Sequence, residues 1–155
     1  MTDSAFQDAY PEALSHCYGC GSNNDHGLQL KSYWDGDETI ARYNPRPEHT
    51  AIPNFVYGGL LASIIDCHGT GSASAAATKE YGVEGEPALR FVTANLNVDF
   101  LAPTPMGVEL EARGTIRELK EKKVIVDIVV SADGKPCAKG SVIAVRMPDS
   151  MMPND

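Results

Sequence analysis

The sequence predicts an α+β fold in which one long central helix is wrapped by a curved antiparallel sheet of about six strands. Three observations predict it. A helical run from Gly58 to about Glu80 is apolar or small on most sides, as in a buried helix. Six segments rich in β-forming residues flank that run, two before it and four after it. Asp-Gly pairs at positions 35–36 and 133–134 predict hairpin turns.

The elements divide the chain into three parts. We expect a loosely docked N-terminal lead-in over residues 1–16, a single domain over 17–147 and a C-terminal tail over 148–155. The last four strands are expected to pair in hairpin succession. The predicted strands cover residues 28–34, 39–43, 89–100, 108–119, 124–131 and 137–146.

Composition excludes several functional classes. The chain has 155 residues, 43% of them hydrophobic, which suits one globular domain. A net charge of -8 provides no general attraction for nucleic acid or anionic lipid. No apolar run approaches the ~20 residues of a membrane span, and the N-terminus lacks the features of a secretory signal. We therefore expect a cytoplasmic protein with reduced cysteines.

The predicted helix also implies self-association. One sheet can cover only part of a helix that is apolar on most sides. We expect a second copy of the chain to cover the remainder, which makes the protein a homodimer at minimum and, by expectation, a homotetramer.

Asp66 is the unusual residue of this helix, because burying an ionised carboxylate is costly. The carboxylate either has a structural role, satisfied by the hydroxyls of Ser63 or Thr70, or takes part in chemistry. Small neighbours let a ligand approach closely, so Ser63 is a candidate substrate-binding residue. The helix face of Asp66 carries only small residues, namely Gly59, Ala62, Ser63, Gly69, Thr70 and Ala73.

Four stretches in order resemble the hot-dog-fold acyl-CoA thioesterases, and among them the phenylacetyl-CoA thioesterase-like, Asp-type branch. They are VYGG at 56–59 followed by the helix with Asp66, CYGCGSNNDHGLQLK at 17–31, TANLNVDFLAPTPMG at 93–107 and KPCAKGSVIAV at 135–145. The resemblance covers roughly residues 16–147. Tyr57 stands where this branch usually has a histidine.

The resemblance implies hydrolysis of an aromatic or short- to medium-chain acyl-CoA to free acid and CoA. Asp66 would be the nucleophile or general base, and Thr93 would assist it. Tyr57 and Asn54 would contribute to substrate binding, with Asn54 orienting the water or the carbonyl. No metal and no cofactor other than the CoA of the substrate is implied.

Gly58 and Gly59 open the helix, where backbone N–H groups have no intrahelical partner and the helix dipole is positive. These N–H groups are therefore candidates for an oxyanion hole, and a tight entry into the helix is the structural alternative. Gly59 and Asp66 lie seven residues apart, or roughly 10 Å along the axis. Both cannot reach one carbonyl, so the donors and the carboxylate would come from different subunits.

Other charged or metal-binding candidates are weaker. The resemblance implies that Arg90, together with Arg46 and Lys79, contacts the phosphates of CoA. Alternatively, each of the three side chains is a solvated charge on the surface. His68 points away from Asp66 and is expected in the core or an interface. The Cys17-x-x-Cys20 pair has no second cysteine pair to complete a zinc site. His16 and His26 could complete one, but their spacing to the cysteines is not that of a zinc finger, so no metal is expected.

Two other functions are compatible with this fold. A non-catalytic acyl-CoA sensor would bind the thioester without hydrolysing it. A hot-dog enoyl-thioester hydratase would need a histidine near the start of the helix, where this chain has Tyr57.

Overall fold

The computed structural model describes residues 1–154 and consists of one long helix lying on one face of a six-stranded antiparallel sheet. The helix, α1, runs over Gly58–Tyr81. Along the sheet the strand order is β1-β2-β4-β5-β6-β3, and the arrangement is the predicted hot-dog fold. The strands are β1 Ser32–Asp35, β2 Glu38–Tyr43, β3 Phe91–Phe100, β4 Leu110–Leu119, β5 Lys123–Ala132 and β6 Lys135–Arg146.

Both Asp-Gly hairpins form as predicted. The first joins β1 to β2, with Asp35 opposite Glu38. The second joins β5 to β6, and there Asp133 and Gly134 adopt φ angles of 49° and 75°. Two consecutive positive φ angles match the twist that a two-residue hairpin loop requires.

The predicted hairpin between β3 and β4 was wrong. β3 pairs with β6 instead, from Phe91 opposite Arg146 to Phe100 opposite Ala138, and forms the outer edge of the sheet. The connection that follows β3 is held near the start of β6, because the N–H groups of Leu101 and Ala102 both donate to the Cys137 carbonyl. The chain then crosses to β4, on the other side of β5 and β6.

The first predicted strand begins four residues later than expected. Leu28 and Leu30 are buried, but their N–H groups donate to the carbonyls of Tyr18 and Gly19 rather than to a neighbouring strand. Gln29 between them has a φ of 52°, which interrupts an extended backbone. Residues 17–31 therefore fold back on themselves before β1 begins.

The N-terminal lead-in is docked, contrary to the expectation of loose attachment. Phe6 is buried with its ring 5.5 Å from that of Trp34. The Gln7 side chain is buried and accepts a hydrogen bond of 2.9 Å from the Ser32 N–H. A side chain at Gly71 would meet Gln7, which shows that the lead-in lies on the C-terminal half of α1. The chain's own N-terminus thus covers part of the helix surface for which the sequence predicts a second copy.

His68 lies in the core. Its Nδ1 is 2.8 Å from the Ser32 hydroxyl and its Nε2 is 3.0 Å from the Thr39 hydroxyl. Burial lowers the pKa of His68 to about 4, so the ring is neutral at neutral pH. Within residues 1–154, no helix is both long and apolar enough to cross a bilayer.

Candidate active site

The structure brings Asp66 and Thr93 together. Asp66 is half-buried in the third turn of α1, and Thr93 lies on the edge strand β3. The Thr93 hydroxyl donates a hydrogen bond of 2.5 Å to Asp66 Oδ1. Within residues 1–154, Asp66 Oδ2 has no hydrogen-bond partner in the same chain. One carboxylate oxygen is therefore held and the other is free.

The alternative partners of Asp66 are otherwise engaged. The Ser63 hydroxyl donates to the Gly59 carbonyl at 2.8 Å. The Thr70 hydroxyl donates to the main-chain carbonyls of Asp66 and Cys67. Neither hydroxyl satisfies the carboxylate, so the structural role considered for Asp66 does not form within this chain.

A β-bulge explains how Thr93 reaches the helix. The register of β3 against β6 shifts between Thr93, opposite Ala144, and Asn95, opposite Ile143. Thr93 and Leu96 are three residues apart and would face opposite sides of a regular strand. The extra residue at the bulge lets both face α1, and bulges commonly re-aim side chains in this way. The sequence gives no local signal for it.

An exposed surface leads from this pair to the start of the helix. On α1, Gly59, Ala62, Ser63 and Asp66 form a stripe of small, at least partly exposed residues, which we call the open stripe. Its spacing of three and four residues places these side chains on one helix face. The apolar residues between them, Leu60, Leu61, Ile64 and Ile65, are buried.

The inner face of β3 borders the open stripe. Leu96, Val98 and Phe100 pair with Val142, Gly140 and Ala138 of β6. These β6 positions face α1, because Val142 and Ala138 are buried and a side chain at Gly140 would meet Ile65. Cross-strand partners point to the same face. Leu96 and Phe100 nevertheless remain 38% and 59% exposed, so this edge presents an uncovered apolar row.

The two glycines at the start of α1 have unpaired N–H groups. Tyr57 is the N-cap, with extended backbone angles and no side-chain cap, and among the described residues neither Gly58 N–H nor Gly59 N–H has an acceptor. A Cβ on Gly58 would lie 3.0 Å from the Phe100 ring, and one on Gly59 would collide with the Tyr57 ring. The glycines thus permit two aromatic rings to close over the helix start.

An apolar groove of about 480 Å³ adjoins Gly58. Asn54 lies in the loop beside it, exposed and with a φ of 78°, and its carbonyl accepts the Met106 N–H at 2.9 Å. That bond fixes the loop; the Asn54 side chain forms no hydrogen bond with the glycine pair. The groove is lined by Val56, Gly58, Leu61, Phe100, Leu101, Ala102, Pro103 and Thr104.

Sequence reasoning missed His49. It is buried, its Nδ1 accepts the Arg46 N–H at 3.0 Å, and its carbonyl accepts the Tyr57 N–H at 3.0 Å. The His49 and Tyr57 rings are 6.4 Å apart. Burial lowers the pKa of His49, so this histidine supports the N-cap as a neutral ring. It lies in a proline-rich loop without periodicity, where no pattern points to it.

The predicted phosphate-binding cations are engaged elsewhere in the chain. The Arg90 guanidinium stacks 4.0 Å from the Tyr10 ring centre, and Lys79 lies 5.2 Å from that of Trp34. Arg46 pairs with Glu48 at 2.8 Å. None of the three cations bonds to Asp66, Thr93 or the glycine pair. Their assignment to CoA phosphates stays a prediction.

Sequence comparison identifies the family. The thioesterase superfamily profile matches residues 53–138, more than half of the chain. The chain belongs to the thioesterase superfamily. A crystal structure of another thioesterase superfamily protein, from Shewanella loihica, is 56% identical and aligns with a TM-score of 0.69. The alignment covers 90% of this thioesterase-superfamily chain and all of the Shewanella one. No curated protein sequence matches.

More distant structures share the fold of this thioesterase-superfamily chain. The Escherichia coli PaaI protein, from the phenylacetic acid degradation operon, is 18% identical, with a TM-score of 0.64 over 78% of this chain and 81% of its own. A Streptococcus mutans protein bound to acetyl-CoA is 13% identical, with a TM-score of 0.61 over 76% of this chain and 88% of its own.

Proposed function

We propose that this thioesterase-superfamily chain hydrolyses an aromatic or short- to medium-chain acyl-CoA to free acid and CoA. The observation that carries the proposal is the geometry of Asp66. Thr93 holds one carboxylate oxygen, and the other is left free on a helix face of small residues. A carboxylate held in this way has a fixed direction and an oxygen available for chemistry.

The N–H groups of Gly58 and Gly59 would polarise the thioester carbonyl. They are unpaired among the described residues and stand at the positive end of the α1 dipole. Hydrogen-bond donors preorganised for a developing oxyanion are a major source of rate enhancement in acyl transfer. The apolar groove beside Gly58 would take the acyl group. Tyr57 and Asn54 would bind the substrate near the rim of this groove, and Ser63 would bind it along the open stripe.

The site would be shared between two subunits. Because α1 is unbroken from Gly58 to Tyr81, Gly59 and Asp66 of one chain lie roughly 10 Å apart along the axis. The free edge of β3, with its exposed Leu96 and Phe100, supports pairing with a second copy. In a two-fold dimer the open stripes of the two helices would face each other, bringing Asp66 of one near Gly58 and Gly59 of the other. A homotetramer would contain two such dimers.

Two chemical routes start from this geometry. As a general base, Asp66 takes a proton from water, whose oxygen bonds to the carbonyl carbon. The carbon–sulfur bond then breaks, and the CoA thiolate leaves with a proton returned from Asp66. As a nucleophile, the carboxylate itself bonds to the carbon, CoA leaves, and water cleaves the resulting anhydride. Neither route needs a metal or a cofactor beyond CoA.

The substrate class rests on the family and on acetyl-CoA bound to the Streptococcus mutans neighbour. The phenylacetic acid operon of the PaaI neighbour supports including aromatic acyl groups. We propose a cytoplasmic location, because free thiols such as the four cysteines persist in that reducing compartment.

The test is a panel of aromatic, aliphatic and enoyl-CoA thioesters incubated with the full chain. Released CoA is measured by chromatography, because the protein's four thiols would react with a thiol dye. Hydrolysis of at least one thioester is expected. Tight binding without hydrolysis would indicate a sensor, and water addition to the enoyl-CoA would indicate a hydratase; either result would overturn the proposal.

A single turnover in heavy-oxygen water tests for the nucleophilic route. In the nucleophilic route, water attack on the acyl carbon puts heavy oxygen into the acid, and attack on the Asp66 carbon labels the protein instead. In the general-base route only the released acid is labelled. Heavy oxygen in the peptide that contains Asp66, detected by mass analysis, therefore demonstrates the nucleophilic route, because the general-base route never labels the protein.

A further inference from the structure

Three thiols from distant parts of the sequence converge beside α1. Cys17 and Cys20 belong to the loop that precedes β1, and Cys67 follows Asp66 on the helix. The three sulfur atoms all lie within 4.8 Å of one another. Cys137 is not part of this group; its thiol contacts the carbonyls of Pro103 and Lys135.

The spacing of the sulfurs suits a tetrahedral metal ion. With zinc–sulfur bonds of about 2.3 Å, two thiolates of a tetrahedral site are about 3.8 Å apart. Cys17 Sγ and Cys67 Sγ are 3.8 Å apart. Thiolates are also the ligands that soft and borderline d10 cations prefer.

The backbone of the loop is shaped to bring the thiols together. A side chain at Gly19, between the two loop cysteines, would collide with Cys67 Sγ. The Gly21 N–H donates to the Cys17 carbonyl at 2.7 Å and closes a tight turn around Cys20. Cys20 and Cys67 are buried, and Cys17 is half-buried, so the group is open only on the Cys17 side.

The surroundings provide for the charge of a bound thiolate complex. Three thiolates and one divalent cation carry a net charge of -1. The Arg90 guanidinium, which stacks 4.0 Å from the Tyr10 ring centre, brings a positive charge to this region. The Tyr10 hydroxyl is buried without a hydrogen-bond partner in the described chain. It lies near Gly71, one helical turn beyond Cys67.

We propose that Cys17, Cys20 and Cys67 bind one Zn²⁺ ion, with the fourth position taken by water or an outside ligand on the Cys17 side. Binding replaces the three thiol protons with three zinc–sulfur bonds and releases the protons to solvent. The ion ties the 17–31 loop to the helical turn that carries Asp66. The site does not depend on the proposed thioesterase activity.

The test measures zinc on the untagged full chain. Purified protein is stripped with a chelator under reducing conditions, and Zn²⁺ is titrated in competition with a chromophoric chelator. We expect one Zn²⁺ per chain and a rise in Tm on binding. Co²⁺ in place of Zn²⁺ should give thiolate-to-cobalt charge-transfer absorption in the near ultraviolet.

Single cysteine variants give the matched comparison. Cys17→Ser and Cys67→Ser should each weaken Zn²⁺ binding at least tenfold. Each should also lower the intensity of the thiolate-to-cobalt charge-transfer absorption, because one thiolate ligand is lost. Cys137→Ser, outside the group, should bind like the wild type. Cys17 is only half-buried, so its variant should fold even if Cys67→Ser does not.

Two results would overturn the proposal. The first is no zinc binding by the wild type, or equal binding by wild type and Cys17→Ser. The second is a chain that binds no zinc and forms a Cys17–Cys67 disulfide under mild oxidation, detected by peptide mass. That second result would make the cluster a thiol pair rather than a metal site.

Discussion

The hydroxyl of Thr93 donates a hydrogen bond of 2.5 Å to Oδ1 of Asp66, joining the edge strand of the sheet to the third turn of the central helix. This bond holds the carboxylate in one direction, and among residues 1–154 Oδ2 has no hydrogen-bond partner that would compete with a water molecule or a thioester. The neighbouring hydroxyls of Ser63 and Thr70 bond to main-chain carbonyls instead. Thr93 is thus the side chain that orients Asp66 within the subunit.

Thr93→Val should lower kcat/KM for the best acyl-CoA by about ten- to hundredfold, because a hydrogen bond to a charged group contributes about 1.5–3 kcal/mol. Thr93→Ser keeps the hydroxyl and should retain most of the activity. Steady-state kinetics of both variants tests this. Loss of activity in Thr93→Ser with activity retained in Thr93→Val would mean that the threonine methyl group, rather than its hydroxyl, matters.

Gly58→Pro should remove one oxyanion donor without disturbing the helix. Proline is favoured at the first helical position, and Tyr57 before it has φ -74° and ψ 146°, which proline allows. We expect kcat to fall by about a hundredfold or more. Gly58→Ala is the control, because its Cβ also approaches the Phe100 ring but its N–H remains. Similar kcat values for the two variants would remove Gly58 N–H from the mechanism.

Mixing two inactive variants tests whether the site is shared. If the donors and the carboxylate come from different subunits, a dimer of one Asp66→Asn chain and one Gly58→Pro chain contains one intact site. Random reassociation of equal amounts should then restore about a quarter of the wild-type rate. Rates that stay at the level of the separate variants after proven subunit exchange would place all the groups within one chain.

The stability of the fold should depend on the protonation of His68. Its pKa is about 4 in the folded chain against 6.5 for a free histidine, and its ring partners are the hydroxyls of Ser32 and Thr39. Above pH 6.5 the ring is neutral in both states and the stabilisation is complete. As the pH falls from 6.5 toward 4, only the unfolded chain takes up the proton, and up to about 3 kcal/mol is lost.

Denaturant unfolding at a series of pH values measures this loss. A chelator is included so that metal binding does not contribute. His68→Gln should lack the histidine part of the pH dependence between 6.5 and 4. An unchanged slope in that variant would assign the effect to other groups.

The fold could be predicted largely because its signals are local. The apolar and small residues of α1 recur at helical spacing, and the Asp133-Gly134 pair has the two positive φ angles that a tight hairpin needs. The position of β3 beside β6 depends on a crossing of the chain at the sheet end, and no pattern within β3 specifies its partner. The lead-in was misjudged because Phe6 and Gln7 lie in a short polar segment without periodicity.

The candidate site divides in the same way. Asp66 can be predicted as a site residue because a carboxylate interrupts an apolar helix. Gly58 and Gly59 can be predicted because they lie at the start of that helix. The bulge that turns Thr93 toward Asp66 and the approach of Cys67 to Cys17 are tertiary contacts across 27 and 50 residues. Such contacts leave no trace in local spacing, so the third thiol was not predicted.

The most direct measurement is the rate of acyl-CoA hydrolysis by Asp66→Asn compared with the wild type. Asp99→Asn, which makes the same change on an exposed residue of β3, is the control. We predict a loss of about a hundredfold or more in Asp66→Asn, with little change in Asp99→Asn. Equal rates in wild type and Asp66→Asn would contradict the assignment of Asp66 to the chemistry.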